Sequence, residues 1–169
     1  MAVADVLRAF QTMKREGTIR DFVIYGSVAA MVHTRPFHTK DIDIAIPVET
    51  VWEYGEVLNR LASFGHFEGQ TVVINGTPVD MFPADVSPVI QDALKRATRK
   101  RVEGIMVKVA SAEHLLLEAL RAFRRPDDHS RVVLLDAYVD AVKLRELVRR
   151  LDHDGQLKER YQGLMHKAP

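Results

Sequence analysis

Two neighbouring stretches constrain this chain more than any other part of it. Phe22-Val-Ile-Tyr-Gly-Ser-Val-Ala-Ala-Met-Val32 reads as a short apolar strand, a tight turn at Gly26-Ser27 and an apolar helix, and Thr39-Lys-Asp-Ile-Asp-Ile-Ala-Ile46 reads as a second strand. Successive side chains of a strand point to opposite faces, so Asp41, Asp43 and Ala45 share one face while Ile42, Ile44 and Ile46 share the other. The isoleucines are expected on a core and the carboxylates in a cleft. Two like charges about 4 Å apart repel by roughly 1 kcal/mol in water and roughly 4 kcal/mol at an effective dielectric near 20, so a counter-charge is expected between them. Hard oxygen ligands suit Mg²⁺, which takes one or two carboxylates and completes its shell with water and phosphate oxygens.

A third carboxylate comes from downstream. Thr71-Val-Val-Ile74 and Pro78-Val-Asp-Met-Phe82 flank Asn75-Gly76, a strong two-residue hairpin signal. Val79 and Met81 are expected to face the core, which turns Asp80 to the opposite face. With this arm beside the Asp41 strand, three carboxylates converge. Asp85, after Pro83, is the alternative third carboxylate and is expected in a loop. Gly26 lets the backbone turn sharply and lets a phosphate approach, and Ser27 offers a hydroxyl and an N–H at a helix start. Read alone, the same dipeptide is a plain strand-to-helix turn with Ser27 as cap.

The order Gly26-Ser27, helix, Asp41-Ile42-Asp43 and a later Asp80 resembles the polymerase-β-like nucleotidyltransferase superfamily. The thirteen residues between Ser27 and Asp41 and the Thr-Lys-Asp-Ile-Asp run look most like the abortive-infection (AbiE type) nucleotidyltransferase toxins. The resemblance covers roughly Val23 to Asp80, with a weaker echo in the helices after Ser111. It implies an α+β fold: a nucleotidyltransferase-like mixed β-sheet flanked by helices, with residues 1–110 as the core and 111–169 as a C-terminal helical region packed on it.

The resemblance also implies an activity: transfer of NMP from an NTP to an acceptor hydroxyl with release of pyrophosphate. Asp41, Asp43 and Asp80 become the catalytic and metal-holding residues, with Mg²⁺ as cofactor. Gly26 and Ser27 hold the β/γ-phosphates. Lys40, in the basic loop from His33, and Arg121 and Arg125, on the later helices, are candidate triphosphate contacts. The acceptor is RNA, such as a transfer-RNA end, a protein hydroxyl or a small antibiotic such as an aminoglycoside, and the toxin reading adds a cognate antitoxin as partner. Glu118 stands where the resembling toxins carry a basic residue, with Arg121, Arg124 and Arg125 a turn or two later. That departure keeps open a catalytically inactive binding or regulatory module of the same fold, and beside it a purely structural protein with solvated aspartates.

Composition bounds these readings. The chain has 169 residues, 24 Lys plus Arg against 23 Asp plus Glu, and no cysteine. Its length suits one domain with a real core, its balanced charge does not announce a nucleic-acid partner, and disulfides and cysteine-held metals are excluded. The start lacks a secretion signal and Phe22–Val32 is too short to span a bilayer, so a cytoplasmic, membrane-free protein is expected. The histidines show no His-Glu-x-x-His spacing, and no phosphate loop of the Gly-x-x-x-x-Gly-Lys type and no Gly-x-Ser-x-Gly elbow is present.

The remaining pattern is mostly helical. Val3, Val6, Leu7, Phe10 and Met13 predict an opening helix that stops at Gly17. Thr50 and Glu53 form a capping box for a helix whose buried side is read as Val51, Tyr54, Val57, Leu58, Leu61 and Phe64. Ser87-Pro88 starts another. Lys95, Arg96, Arg99, Lys100 and Arg101 are read as a solvated helix end that could also grip RNA phosphates, followed by a last strand over Val102–Val109. Apolar stripes at Leu115–Phe123, at Val133, Leu134, Ala137, Tyr138 and Ala141, at Leu144–Leu151 and at Leu157–Met165 predict four C-terminal helices.

Overall fold

The computed structural model describes residues 2–122 and 126–165. Helix α1 (Val3–Glu16) ends at Gly17, whose φ of 81° supplies the left-handed stop, and it buries Val6, Leu7, Phe10 and Met13. Strand β1 (Val23–Ile24) leads into α2 (Gly26–His33), and β2 (Ile42–Ile46) follows the loop that carries Lys40 and Asp41. Next come α3 (Val51–Ala62), β3 (His66–Glu68), β4 (Thr71–Ile74) and β5 (Thr77–Pro83). A 3-10 turn at Ala84–Val86, carrying the exposed Asp85, leads to α4 (Pro88–Arg96) and the pair β6 (Thr98–Val102) and β7 (Ile105–Val109). Helices α5 (Ala112–Ala122), α6 (Pro126–Asp136), α7 (Ala141–Leu151) and α8 (Gln156–Met165) complete the chain.

The strands form one seven-stranded mixed sheet in the order β3-β4-β5-β2-β1-β7-β6. β2 lies at its centre, antiparallel to β1 and parallel to β5. Ile42, Ile44 and Ile46 are fully buried, as their alternation demands. Ala45 is fully buried too, so the carboxylate face of β2 is open only toward its Asp41 end. The β4–β5 hairpin turns through Asn75 and Gly76, at φ 46° and 73°, the paired left-handed geometry that an Asn-Gly turn favours. Val79 and Met81 face the core, and Asp80 is on the other side.

Local chemistry sets the helix ends. The Glu53 N–H donates to Thr50 Oγ1 at 3.1 Å, while the Glu53 carboxylate reaches back to the Glu49 N–H. Ser87 Oγ accepts from the Val89 N–H at 3.2 Å, with Pro88 as first helical residue. Helix α5 is the link between sheet and helical region: it packs on α2 and α4 and also on α6, α7 and α8. Asp92 of α4 joins three helices, accepting from His114 of α5 at 2.9 Å and Arg150 of α7 at 2.6 Å.

Some expectations need correction. Val51 is 88% exposed, next to Trp52 at 86%, because the buried face of α3 begins one turn later at Tyr54. The basic run is not one helix end. Arg96 closes α4, and Arg99, Lys100 and Arg101 lie on β6, an edge strand whose Arg99 and Arg101 pair with Lys108 and Met106. Val102–Val109 is thus the end of β6, a Glu103-Gly104 turn and β7, not a single strand. Among the described side chains of α6, Val132 and Leu135 are buried, whereas Val133 is exposed. His66–Glu68 adds a strand, paired with β4, to the two expected hairpin arms.

Candidate active site

Parallel pairing of β2 and β5 brings Asp43 and Asp80 into direct register. Neighbouring strands lie about 4.8 Å apart, and residues in register share a face, so the two carboxylates stand side by side. Asp41 is exposed just before β2 and accepts from Thr39 Oγ1 at 3.1 Å. Its charge reaches both of the others: burial first, then Asp41 and Asp80, push the Asp43 carboxyl up to about 6. Burial and then Asp41 raise Asp80 as well. At Asp43, burial and like charge outweigh the groups that favour ionisation.

The glycine turn meets this cluster directly. Tyr25 N–H donates to the Asp43 carbonyl at 2.9 Å, which anchors the end of β1 to β2. Gly26 has φ +57°, and a Cβ built there would fall 1.7 Å from Asp43 Oδ2. Only glycine leaves room for that carboxylate. The Ser27 backbone N–H, in the first turn of α2, donates to it and lowers its pKa, as does the charge of Arg131. The helix start that reads from sequence as a phosphate cradle thus holds the Asp43 carboxylate.

A cavity of about 260 Å³ opens beside these groups. Tyr25 and Gly26 at the β1–α2 turn, Asp43 of β2 and Phe82 of β5 line it, together with Leu115, Glu118 and Arg121 of α5 and Arg131 of α6. Arg131 Nη2 donates to Ser27 Oγ at 3.1 Å across 104 residues of sequence. Glu118 accepts from Arg121 Nε at 2.9 Å and from Ser87 Oγ at 2.8 Å. Tyr25 is buried, donates from its hydroxyl to the His114 carbonyl at 3.1 Å, and has its phenol pushed well above the ordinary range, chiefly by burial.

The expected site residues divide accordingly. Asp43 and Gly26 line the cavity, Ser27 touches it through Arg131, and Asp80 and Asp41 lie beside Asp43 outside the cavity wall. Arg121 is on the wall, engaged by Glu118. Lys40 is exposed on the loop before β2 and is not part of that wall. Arg125 lies outside the described residues. Arg131 was not singled out from sequence, where it is one arginine in a helix otherwise notable for its apolar run.

The donor set suits a hard divalent cation in kind: carboxylate oxygens in register, partly dehydrated and mutually repelling. Among the described residues, no three acidic or histidine side chains are already gathered closely enough to hold an ion among them. Asp43 and Asp80 are in register on adjacent strands, and Asp41, whose charge acts on both, lies just before β2.

No protein-family profile matches the chain. No curated protein sequence matches it either. Its structure is similar to solved ones. It matches the antibiotic-resistance factor ANT(2'')-Ia in solution with a TM-score of 0.57 at 16% identity, covering 98% of this chain and 97% of that one. ANT(2'')-Ia in complex with adenylyl-2''-tobramycin matches with a TM-score of 0.57 at 18% identity over 94% and 96% of the two chains. An antigenic nucleotidyltransferase-like protein from Paracoccidioides brasiliensis matches with a TM-score of 0.57 at 17% identity over 95% and 91%. From end to end, then, the chain has the fold of the nucleotidyltransferases.

Proposed function

We propose that the chain transfers a nucleoside monophosphate from an NTP to an acceptor hydroxyl, with pyrophosphate as the second product. The observation that carries this reading is the side-by-side placement of Asp43 and Asp80 against the Gly26-Ser27 helix start. A structural protein has no use for a carboxylate whose burial and neighbours work against its ionisation. Asp41, Asp43 and Asp80 would hold Mg²⁺, which neutralises triphosphate charge and polarises the phosphoryl group. Arg131 and the Ser27 hydroxyl, already in contact, bind phosphate oxygens, and Lys40 reaches the triphosphate from its loop. As the acceptor oxygen bonds to the α-phosphorus, its proton passes to a carboxylate oxygen of Asp80, whose raised pKa suits that task. The bond from the α-phosphorus to its bridging oxygen breaks, and pyrophosphate leaves with the electron pair.

Two acceptor classes have separate support. The Thr39–Asp43 run favours a macromolecular acceptor, RNA or protein, with toxin biology and an antitoxin partner. The likeness to ANT(2'')-Ia over nearly its full length favours a small hydroxylated antibiotic. Incubation with each of the four α-labelled triphosphates and Mg²⁺, in the presence of total RNA, cell lysate protein or an aminoglycoside panel, separates them by which fraction carries the label. Triphosphate binding with no labelled species in any fraction would reject transfer and leave the inactive binding module.

A further inference from the structure

Helix α5 is a wall of two cavities. Leu115, Glu118 and Arg121 face the carboxylates, while Leu116, Leu117 and Leu120, on the opposite side of the helix, face a groove of about 600 Å³ closed by α7 and α8. The base of this groove is hydrocarbon: those three leucines, with Leu144 and Val148 of α7. The α5 leucines themselves are almost wholly shielded, so the open volume lies above them, between α7 and α8.

The rim has the opposite character. Arg145 and Arg149 of α7 and Lys158 of α8 stand around it with a single acid, Asp152. The Asp152 carboxylate is occupied in starting α8: it accepts from the Leu157 and Lys158 backbone N–H groups, each at 3.0 Å. Arg145 donates to the Ala141 carbonyl at 3.1 Å. Among the described residues the side chains of Arg149 and Lys158 have no hydrogen-bond or ion-pair partner. An apolar slot of this size, within the roughly 300–1,000 Å³ of small-ligand sites, with cations at its mouth calls for a particular chemistry.

We propose that this groove binds an amphiphilic carboxylate, its hydrocarbon chain along the half-buried Val148 of α7 and Tyr161 of α8, above the shielded leucines of α5, and its head group between Arg149 and Lys158. The reading does not depend on the nucleotidyl-transfer site. A neutral chain would leave both cations unused, and a cationic amphiphile would meet like charge. A charge-assisted hydrogen bond is stronger than a neutral one, so the head group sets the selectivity.

The test is calorimetric titration of the full chain with dodecanoate below its micellar concentration, beside dodecyltrimethylammonium as the cationic counterpart. Saturable binding of dodecanoate alone is expected. Arg149→Glu with Lys158→Glu, both exposed positions, should weaken it by about tenfold or more while the thermal unfolding midpoint stays put, and Val148→Trp should fill the groove and abolish binding. The proposal is overturned by any of four results: no saturable heat, equal binding of the cationic amphiphile, less than a twofold change in the charge-reversed chain, or binding seen only with anionic lipid vesicles or an acidic helical peptide.

Discussion

Replacing Asp43 with asparagine should stabilise the metal-free protein, and only above a defined pH. Its carboxyl is held up to about 6 against an ordinary 3.8, by burial first and by Asp41 and Asp80 after it. Between those values the folded chain keeps a proton that the unfolded chain has released, so stability falls as pH rises through that window and is level above it. A gap of roughly two pH units corresponds to about 3 kcal/mol. Asparagine removes the ionisation and keeps an oxygen for the Ser27 N–H. The variant and the parent should therefore be about equally stable near pH 4 and differ by about 3 kcal/mol, in favour of the variant, above about pH 7. Asp80 is raised in both chains and cancels. The assay is urea unfolding across that range in the presence of a chelator, followed by far-ultraviolet circular dichroism, because Trp52 is 86% exposed and its fluorescence will report unfolding poorly. A difference that does not change with pH, or that favours the parent at high pH, would refute the reasoning.

Further expectations follow from the same geometry. Gly26→Ala should cost at least about 2 kcal/mol, since its Cβ would fall 1.7 Å from Asp43 Oδ2 at a positive φ. Most of the steric part should return in an Asp43→Ala background, as a double-mutant cycle in urea will measure. Arg131→Met removes a charge that lowers the Asp43 pKa, so the Asp43 carboxyl resonance should titrate at a higher pH than in the parent; an unchanged midpoint would contradict the contact. Thr50→Ala should lose about 1 kcal/mol through the cap of α3, read as a shift in the urea midpoint without a change in slope.

How far sequence carries this far depends on how local each signal is. The pairing of Ile42, Ile44 and Ile46 with buried faces, the Asn75-Gly76 hairpin and the Ser87-Pro88 helix start were all legible, because each is decided by residues within one turn or one pleat of each other. β6 was not. Arg99-Lys100-Arg101 lacks the apolar alternation of a strand, and its turn uses Glu103 at φ 46° where asparagine or aspartate would have announced it. On α6, Val132-Val133-Leu134-Leu135 is four apolar residues in a row, a pattern that fits any face; packing against α5 selects Val132 and Leu135.

The site shows the same division. Strand alternation put Asp41 and Asp43 on one face and turned Asp80 away from the core, while the register of Asp43 with Asp80 on β2 and β5 follows from parallel pairing that no local signal dictates. The Ser27–Arg131 contact spans 104 residues and depends on how α6 docks. The close fit of Asp43 against Gly26 is likewise tertiary. It gives the glycine a role that sequence alone assigned to a phosphate.

The most direct test is calorimetric titration of an NTP analogue with a non-hydrolysable α,β-bridge into the parent chain and Asp43→Asn, with and without Mg²⁺. The account predicts binding by the parent that requires Mg²⁺ and falls by about tenfold or more in the variant. Equal affinity in the two chains, or binding indifferent to the metal, would contradict it.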